Sequence, residues 1–213
     1  MREMNLPPGV TTRIFLVRHG APVAAAHGRC YGKLDVGLSE DGKRQIEQTA
    51  EFMLPFRCAA VYASPRIRAV ESGKIIAQKQ NLPFEICEDF AEIDFGDFEG
   101  MEYREVERRF PDVYERWMTE PTSVEFPGGE SFAAMQRRVL RAVTRLNERH
   151  RGETFAVVSH GGVNRIVLAH FLKIKNEDIF RLAQDYAGAN AIDFYDDFPV
   201  VRLMNRTTEN PWR

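Results

Sequence analysis

Several patterns are missing from this 213-residue chain, and each absence removes a class of function. Cysteine is scarce: Cys30, Cys58 and Cys87 are odd in number and widely spaced, which excludes a disulfide framework and a paired-cysteine zinc or redox motif. Reduced thiols are the expectation. No His-x-His or His-Glu-x-x-His spacing occurs, so no zinc or iron site is expected and no cofactor is called for. No apolar run approaches the roughly 20 residues that cross a bilayer, and the first residues lack the apolar core of a signal peptide. A cytoplasmic protein with no membrane partner is the expectation. Excess basic charge is lacking too: a formal net charge of -2 offers no bulk attraction for nucleic acid, so any cationic site must be local. Internal repeats and low-complexity tracts are also absent.

What is present is enough for one sizeable core, with 44% hydrophobic residues. Residues 1–213 are expected to form a single domain, with a small helical cap at about 101–129. Two apolar runs stand out. Thr12 to Val17 reads as a buried strand that runs into Arg18-His19-Gly20, and Phe155 to Val158 reads as another that runs into Ser159-His160-Gly161-Gly162. Each delivers a histidine at its tip, where open α/β sheets bind ligands.

Between these strands the chain alternates. Ser39 caps a helix of about four turns carrying Ile46, Ala50 and Met53; Ala59 to Ala63 forms a strand; Pro65 opens a helix through Ile67, Val70, Lys74 and Ala77. Phe84 to Cys87 is a short strand, and Glu88 to Gly100 an acidic, aromatic loop on the active face. Residues 102–118 form an exposed helix broken at Pro111, and Pro121 to Gly129 a return loop. Phe132, Met135, Val139, Val143 and Leu146 make the apolar stripe of a helix over Glu130 to Arg149. Gly161-Gly162 opens another helix at the strand tip, where backbone donors suit an anion. Ala191 to Tyr195 and Val200 to Met204 close the chain as an edge hairpin.

Arg18-His19, Arg68, Glu92 and His160 all lie at or just past strand ends, so one rim can collect them. Their chemistry is that of phosphoryl transfer. Arginines and backbone amides stabilise phosphate charge, one neutral imidazole can attack phosphorus while the other contacts the equatorial oxygens, and a carboxyl group can protonate the leaving alkoxide. Phe90, Ile93 and Phe95 beside Glu92 offer desolvation that would favour its acid form. Arg66 rivals Arg68 as phosphate ligand and otherwise reaches solvent or substrate. Glu99 rivals Glu92 as acid, although Gly100 beside it favours a structural turn. Tyr31 and Phe126 are candidate pocket walls; Tyr103 and Arg109 are candidates for substrate selection within the charged, otherwise solvated run Arg104 to Arg116. His27, His150 and His170 read as structural or solvated.

These motifs resemble the histidine phosphatase superfamily, in its phosphoglycerate mutase-like branch. The resemblance runs in order through Arg18-His19-Gly20, the stretch Gly32 to Gly42, Ser64-Pro65-Arg66-Ile67-Arg68-Ala69, Glu92 to Gly100, Pro127-Gly128-Gly129-Glu130-Ser131 and Ser159-His160-Gly161-Gly162. It implies an α/β fold of three layers with a mostly parallel mixed sheet, and no metal. It further implies His19 as phosphorylated nucleophile, Arg18 and Arg68 as phosphate ligands with Gly161 and Tyr31 beside them, His160 as second pocket histidine and Glu92 as proton donor. The chain departs from the pattern at Ala21, Pro22 and Ala25, where the superfamily commonly has an acidic residue, a threonine and an asparagine that reaches the phosphate. Arg-His-Gly-Ala-Pro followed by Cys30-Tyr31-Gly32 is most similar to the α-ribazole phosphatase branch. The expectation is therefore a phosphomonoesterase for a small phosphorylated metabolite, with α-ribazole 5'-phosphate a candidate. A phosphoglycerate mutase and a non-catalytic phosphate-binding regulatory module are the alternatives. Oligomeric state is unspecified, a homodimer among the options.

Overall fold

Alternation along the first strand explains the layering. Within β1 (Thr12–Arg18), Ile14 and Leu16 face one side and Phe15 and Val17 the other, because successive strand side chains point oppositely. All four are almost fully buried, so both faces of the sheet are covered. The computed structural model describes residues 4–26, 28–196 and 198–208. Its other strands are β2 (Cys58–Ala63), β3 (Phe84–Ile86), β4 (Thr154–Ser159), β5 (Ala189–Tyr195) and β6 (Phe198–Arg206). They form one sheet in the order β3-β2-β4-β1-β5-β6. The first four in that order run parallel, while β5 lies antiparallel to β1 and β6 antiparallel to β5. This is the mostly parallel mixed sheet of the α/β class.

On one face α1 (Glu40–Met53) and α2 (Ile67–Gln80) bury Ile46, Met53, Ala69 and Ile76 against Phe15, Val17 and Val158. On the other, α5 (Phe132–Arg149) and α6 (Gly161–Leu172) bury Met135, Val139, Val143 and Ile166 against Ile14, Leu16 and Val157. The Ser39 hydroxyl accepts from Gly42 N–H to cap α1, and that of Ser131 accepts from Ala134 N–H to cap α5. The stripe expected on α5 is buried in full. Two short helices, α3 (Tyr103–Arg109) and α4 (Pro111–Thr119), break at Pro111 and pack Val106 with Phe98, Val124 and Phe126 in a separate small apolar cluster.

One helix departs from expectation. Pro65 lies outside α2, which begins at Ile67 after an extended Arg66, and Ile67 is exposed rather than part of the core stripe. The buried face carries Ala69, Ser72, Gly73, Ile76 and Ala77. The reason is close approach: a Cβ at Gly73 would fall 2.7 Å from the Phe84 ring, so at this point the helix lies too near β3 for a side chain. Choosing a face by the large apolar residues therefore picks the wrong one.

Candidate active site

Register brings the two histidines together. In the parallel pair β1–β4, Arg18 stands opposite Ser159, so the residues that follow leave the sheet side by side. His19 N–H donates to the Ser159 carbonyl at 2.9 Å, and the His19 and His160 ring centroids are 5.2 Å apart. β2 flanks β4 with Ala63 opposite Val158, which sets the Ser64 hydroxyl 2.7 Å from Nε2 of His160.

Each ring has a defined orientation. Nδ1 of His19 lies 2.7 Å from the Gly20 carbonyl oxygen, which can only accept, so Nδ1 carries the proton and Nε2 of the neutral ring keeps its lone pair. His160 uses Nε2 on Ser64, and its buried Nδ1 has no hydrogen-bond partner. Burial, then the charges of Arg18 and Arg68, hold His19 well below the usual histidine range. Burial, then Arg68, does the same to His160. Both are neutral at pH 7.

The arginines are only partly satisfied by the protein. Arg18 donates from Nη1 to the Gln184 carbonyl at 2.6 Å and lies 4.0 Å over the Tyr186 ring, while its buried Nε has no partner. Arg68 is wholly buried; Nη1 donates to the Leu34 carbonyl and Nη2 to those of Tyr31 and Gly32, each at 3.0 Å, and its Nε is also without a partner. Arg68 thus grips the loop after β1 as well as standing on the cavity wall. Tyr31 is on the same wall, its hydroxyl 3.0 Å from that of Tyr186 and its ring 5.0 Å from the Arg68 guanidinium.

Glu92 approaches from the acidic loop. Its carboxylate accepts from the N–H groups of Ile93 at 3.0 Å and Gly162 at 3.2 Å. Gly162 must be glycine for that approach, since a Cβ there would fall 2.5 Å from Oε1 of Glu92. Ile93 and Phe95 share the cavity wall with Glu92, whereas Phe90 turns into the core. Arg138 holds the loop from behind, donating to the carbonyls of Asp89, Ala91 and Glu92 and pairing with both oxygens of Glu130.

A family model described as the histidine phosphatase superfamily, branch 1, matches residues 14–207. The chain belongs to that family. It is 35% identical over 201 residues to bifunctional protein Rv2228c of Mycobacterium tuberculosis, an alignment covering 93% of this chain and 55% of that protein. The chain thus spans about half the length of that relative. It is 32% identical over 195 residues to phosphoserine phosphatase 1 of Hydrogenobacter thermophilus, with 92% of each covered. The solved structure of the α-ribazole phosphatase from Shigella flexneri superimposes with a TM-score of 0.83 at 27% identity, covering 93% of this chain and 100% of that one.

In this member of the histidine phosphatase superfamily, His19, His160, Arg18, Arg68, Glu92, Gly161 and Tyr31 all line one cavity of about 230 Å³. Phe126 and Tyr103 line it as well, but Arg66 and Arg109 do not; Arg109 pairs with Glu105 on α3. Glu99 is a loop tie, accepting from the N–H groups of Lys33, Leu34 and Phe95. His150 is structural, linking the Tyr62 hydroxyl to Glu153, and His170 is exposed on α6. His27 and the side chain of Ala25 lie outside the described residues. At Ala21 only the backbone is engaged, its N–H donating to Gln45 and its carbonyl accepting from Ser39.

Sequence reasoning missed three residues. Arg165 projects from α6 onto the cavity wall, and its spacing of one helical turn from Gly161 was the available signal. Arg138 lies one residue from the apolar stripe of α5, and only its carbonyl partners reveal it. Tyr186 sits in a loop with no periodic pattern to mark it. Among the described residues, no group of three or more His, Cys, Asp or Glu side chains is placed to hold a metal ion, and no helix is long and apolar enough to cross a membrane.

Proposed function

We propose that this histidine phosphatase is a phosphomonoesterase that works through a phosphohistidine on Nε2 of His19. The observation that carries this reading is the His19 Nδ1–Gly20 hydrogen bond, which leaves the opposite ring nitrogen as a neutral nucleophile among guanidinium groups. The Nε2 lone pair attacks phosphorus, the Nε2–P bond forms and the P–O bond to the alcohol breaks. Arg18, Arg68 and the Gly161 amide stabilise the equatorial oxygens. On this reading His160 assists as a neutral donor: the Ser64 hydroxyl, 2.7 Å away, is assigned as donor to Nε2, which puts the ring proton on Nδ1, the atom without a protein partner. Glu92 delivers a proton to the leaving alkoxide, then takes one from the water that attacks phosphorus and releases phosphate and the free imidazole.

The substrate on this reading is a small phosphorylated metabolite, and residues 101–129 serve as a cap over the cavity. Likeness to the Shigella flexneri α-ribazole phosphatase makes α-ribazole 5'-phosphate the first compound to try. A cytoplasmic setting fits the three free, buried cysteines. Acid-labile, base-stable phosphate should appear on the His19 peptide when turnover of phenyl phosphate is quenched with alkali and the digest analysed by mass spectrometry. Sustained turnover with no such adduct overturns the reading.

A further inference from the structure

The cavity has two chemically different halves. Opposite the strand tips, Phe95, Trp117 and Phe126 form a mutual aromatic cluster, with centroids 5.4 Å apart for Phe95–Trp117, 4.9 Å for Phe95–Phe126 and 5.3 Å for Trp117–Phe126. Tyr103 lies 5.5 Å from Trp117 on the outer side and is 39% exposed. On the same wall stands Phe180, 55% exposed, with the Arg165 guanidinium 5.4 Å from its ring. All of these side chains line the same cavity as His19 and Arg68.

Packing accounts for part of them, since Phe126 is a buried member of the small apolar cluster and Phe95 and Trp117 pack against it, but Trp117 is only half-buried and Tyr103 and Phe180 are exposed on the cavity wall. Phe98, Val106, Phe110 and Val124 already join α3 and α4 to the acidic loop, away from the cavity wall. Aromatic rings grouped and partly exposed around one opening mark a binding surface. The wall is as telling for what it omits. Among the described residues, Glu92 is its one carboxylate, its hydroxyls are those of Tyr31 and Tyr103, and it carries no Ser, Thr, Asn, Gln, Lys or Asp side chain. Of its cations, Arg29 is committed to the Gly100 carbonyl and Glu102, and Arg165 uses Nε on the Leu182 carbonyl. An alcohol rich in hydroxyls would lose its water there and gain few partners, which costs affinity. Apolar rings gain from the same burial, and roughly 150 Å³ of apolar space holds a benzene ring.

We infer that the enzyme selects phosphate monoesters whose alcohol carries a flat apolar ring system, an arene or fused heteroarene, held against Trp117 and Phe126 and edged by Phe180. Small esters without such a ring are disfavoured. This selectivity rests on the phosphohistidine reading and deepens it.

The test compares 2-(2-naphthyl)ethyl phosphate with ethyl phosphate, whose leaving alkoxides have similar basicity, and adds acetyl phosphate as an activated substrate that needs no aryl contact. The naphthyl ester should show a kcat/KM at least about thirtyfold above ethyl phosphate, through KM more than kcat. Trp117→Ala should bring the two esters to within about threefold of each other, and Trp117→Phe should restore most of the difference. Phe180→Ala, at an exposed position where folding is not at stake, should narrow the difference in the same direction. Equal kcat/KM for the two esters in the unmodified enzyme, or a ratio untouched by both alanine variants, overturns the selectivity while turnover of acetyl phosphate leaves the phosphohistidine chemistry standing. Inertness toward all three compounds overturns that chemistry and the selectivity with it.

Discussion

Arg13 and Arg18 stand at opposite ends of β1, and the protein treats them differently. Arg13 donates from Nε and Nη2 to the fully buried Asp193 at 2.6 and 2.8 Å, and Arg202 completes the carboxylate's surroundings at 3.2 Å. Arg18 meets a carbonyl and an aromatic face, and its Nε finds nothing. Arg68 likewise spends its terminal nitrogens on loop carbonyls and leaves Nε open. A buried cation with its anion supplied by the protein is architecture, because its charge is already neutralised. Buried donors left open beside two neutral imidazoles mark the place for an anion that comes from outside. The same strand carries a closed end and a receptive one.

The largest effect that would break this contrast lies at the receptive end. His19→Ala should lower turnover of an aryl phosphate by at least about a thousandfold while the circular dichroism spectrum is retained, because the covalent route is gone. Near-normal turnover would mean that the open donors serve something other than phosphoryl transfer. Next in size, Arg13→Met should cost about 3 kcal/mol of stability in urea unfolding, since it removes two of the hydrogen bonds to the buried Asp193 carboxylate and leaves it Arg202, and kcat/KM of the folded enzyme should change little. Arg18→Gln should do the reverse, cutting kcat/KM about a hundredfold with little loss of stability. If Arg18→Gln destabilises as much as Arg13→Met, the two ends of β1 are not different in kind.

Smaller effects come from protons. Burial and the arginines hold His19 and His160 neutral in the folded state, whereas unfolded histidines titrate near about 6.5. Below that pH the unfolded chain binds protons that the folded chain does not, so stability is complete above about pH 6.5 and falls as pH drops toward the folded-state values. The urea midpoint should therefore decrease on acidification through this window, and less steeply in His160→Gln. Equal slopes would show that this ring is not one of the groups responsible. Arg18→Gln should also let the His19 pKa rise, which moves the acid limb of the pH–rate profile upward; an unmoved limb would show that Arg18 does not act on that ring.

Legibility followed the kind of interaction involved. The strands, the Ser39 cap and the α5 stripe were readable because each depends on residues near in sequence. The motif residues were readable one by one. The buried face of α2 was not, because Gly73 is set by how near Phe84 lies. Arg138 was not, because its partners are carbonyl oxygens of a loop from another part of the chain, and carbonyls have no residue identity to read. Tyr186 became visible only through Arg18 and Tyr31, which come from distant segments.

By itself the sequence determined that two buried strands would each end in a histidine, that an arginine would accompany the first, and that helices would cover both faces of the sheet, since alternation, capping and turn chemistry act over a few residues. Only the tertiary structure decided that Arg18 would stand opposite Ser159, that the His19 ring would present Nε2 and the His160 ring Nδ1, and that aromatic side chains of 95–126 would close the far side of the cavity. Those outcomes depend on strand register and on which neighbour accepts or donates each hydrogen bond. Such distances exist only once remote segments have packed.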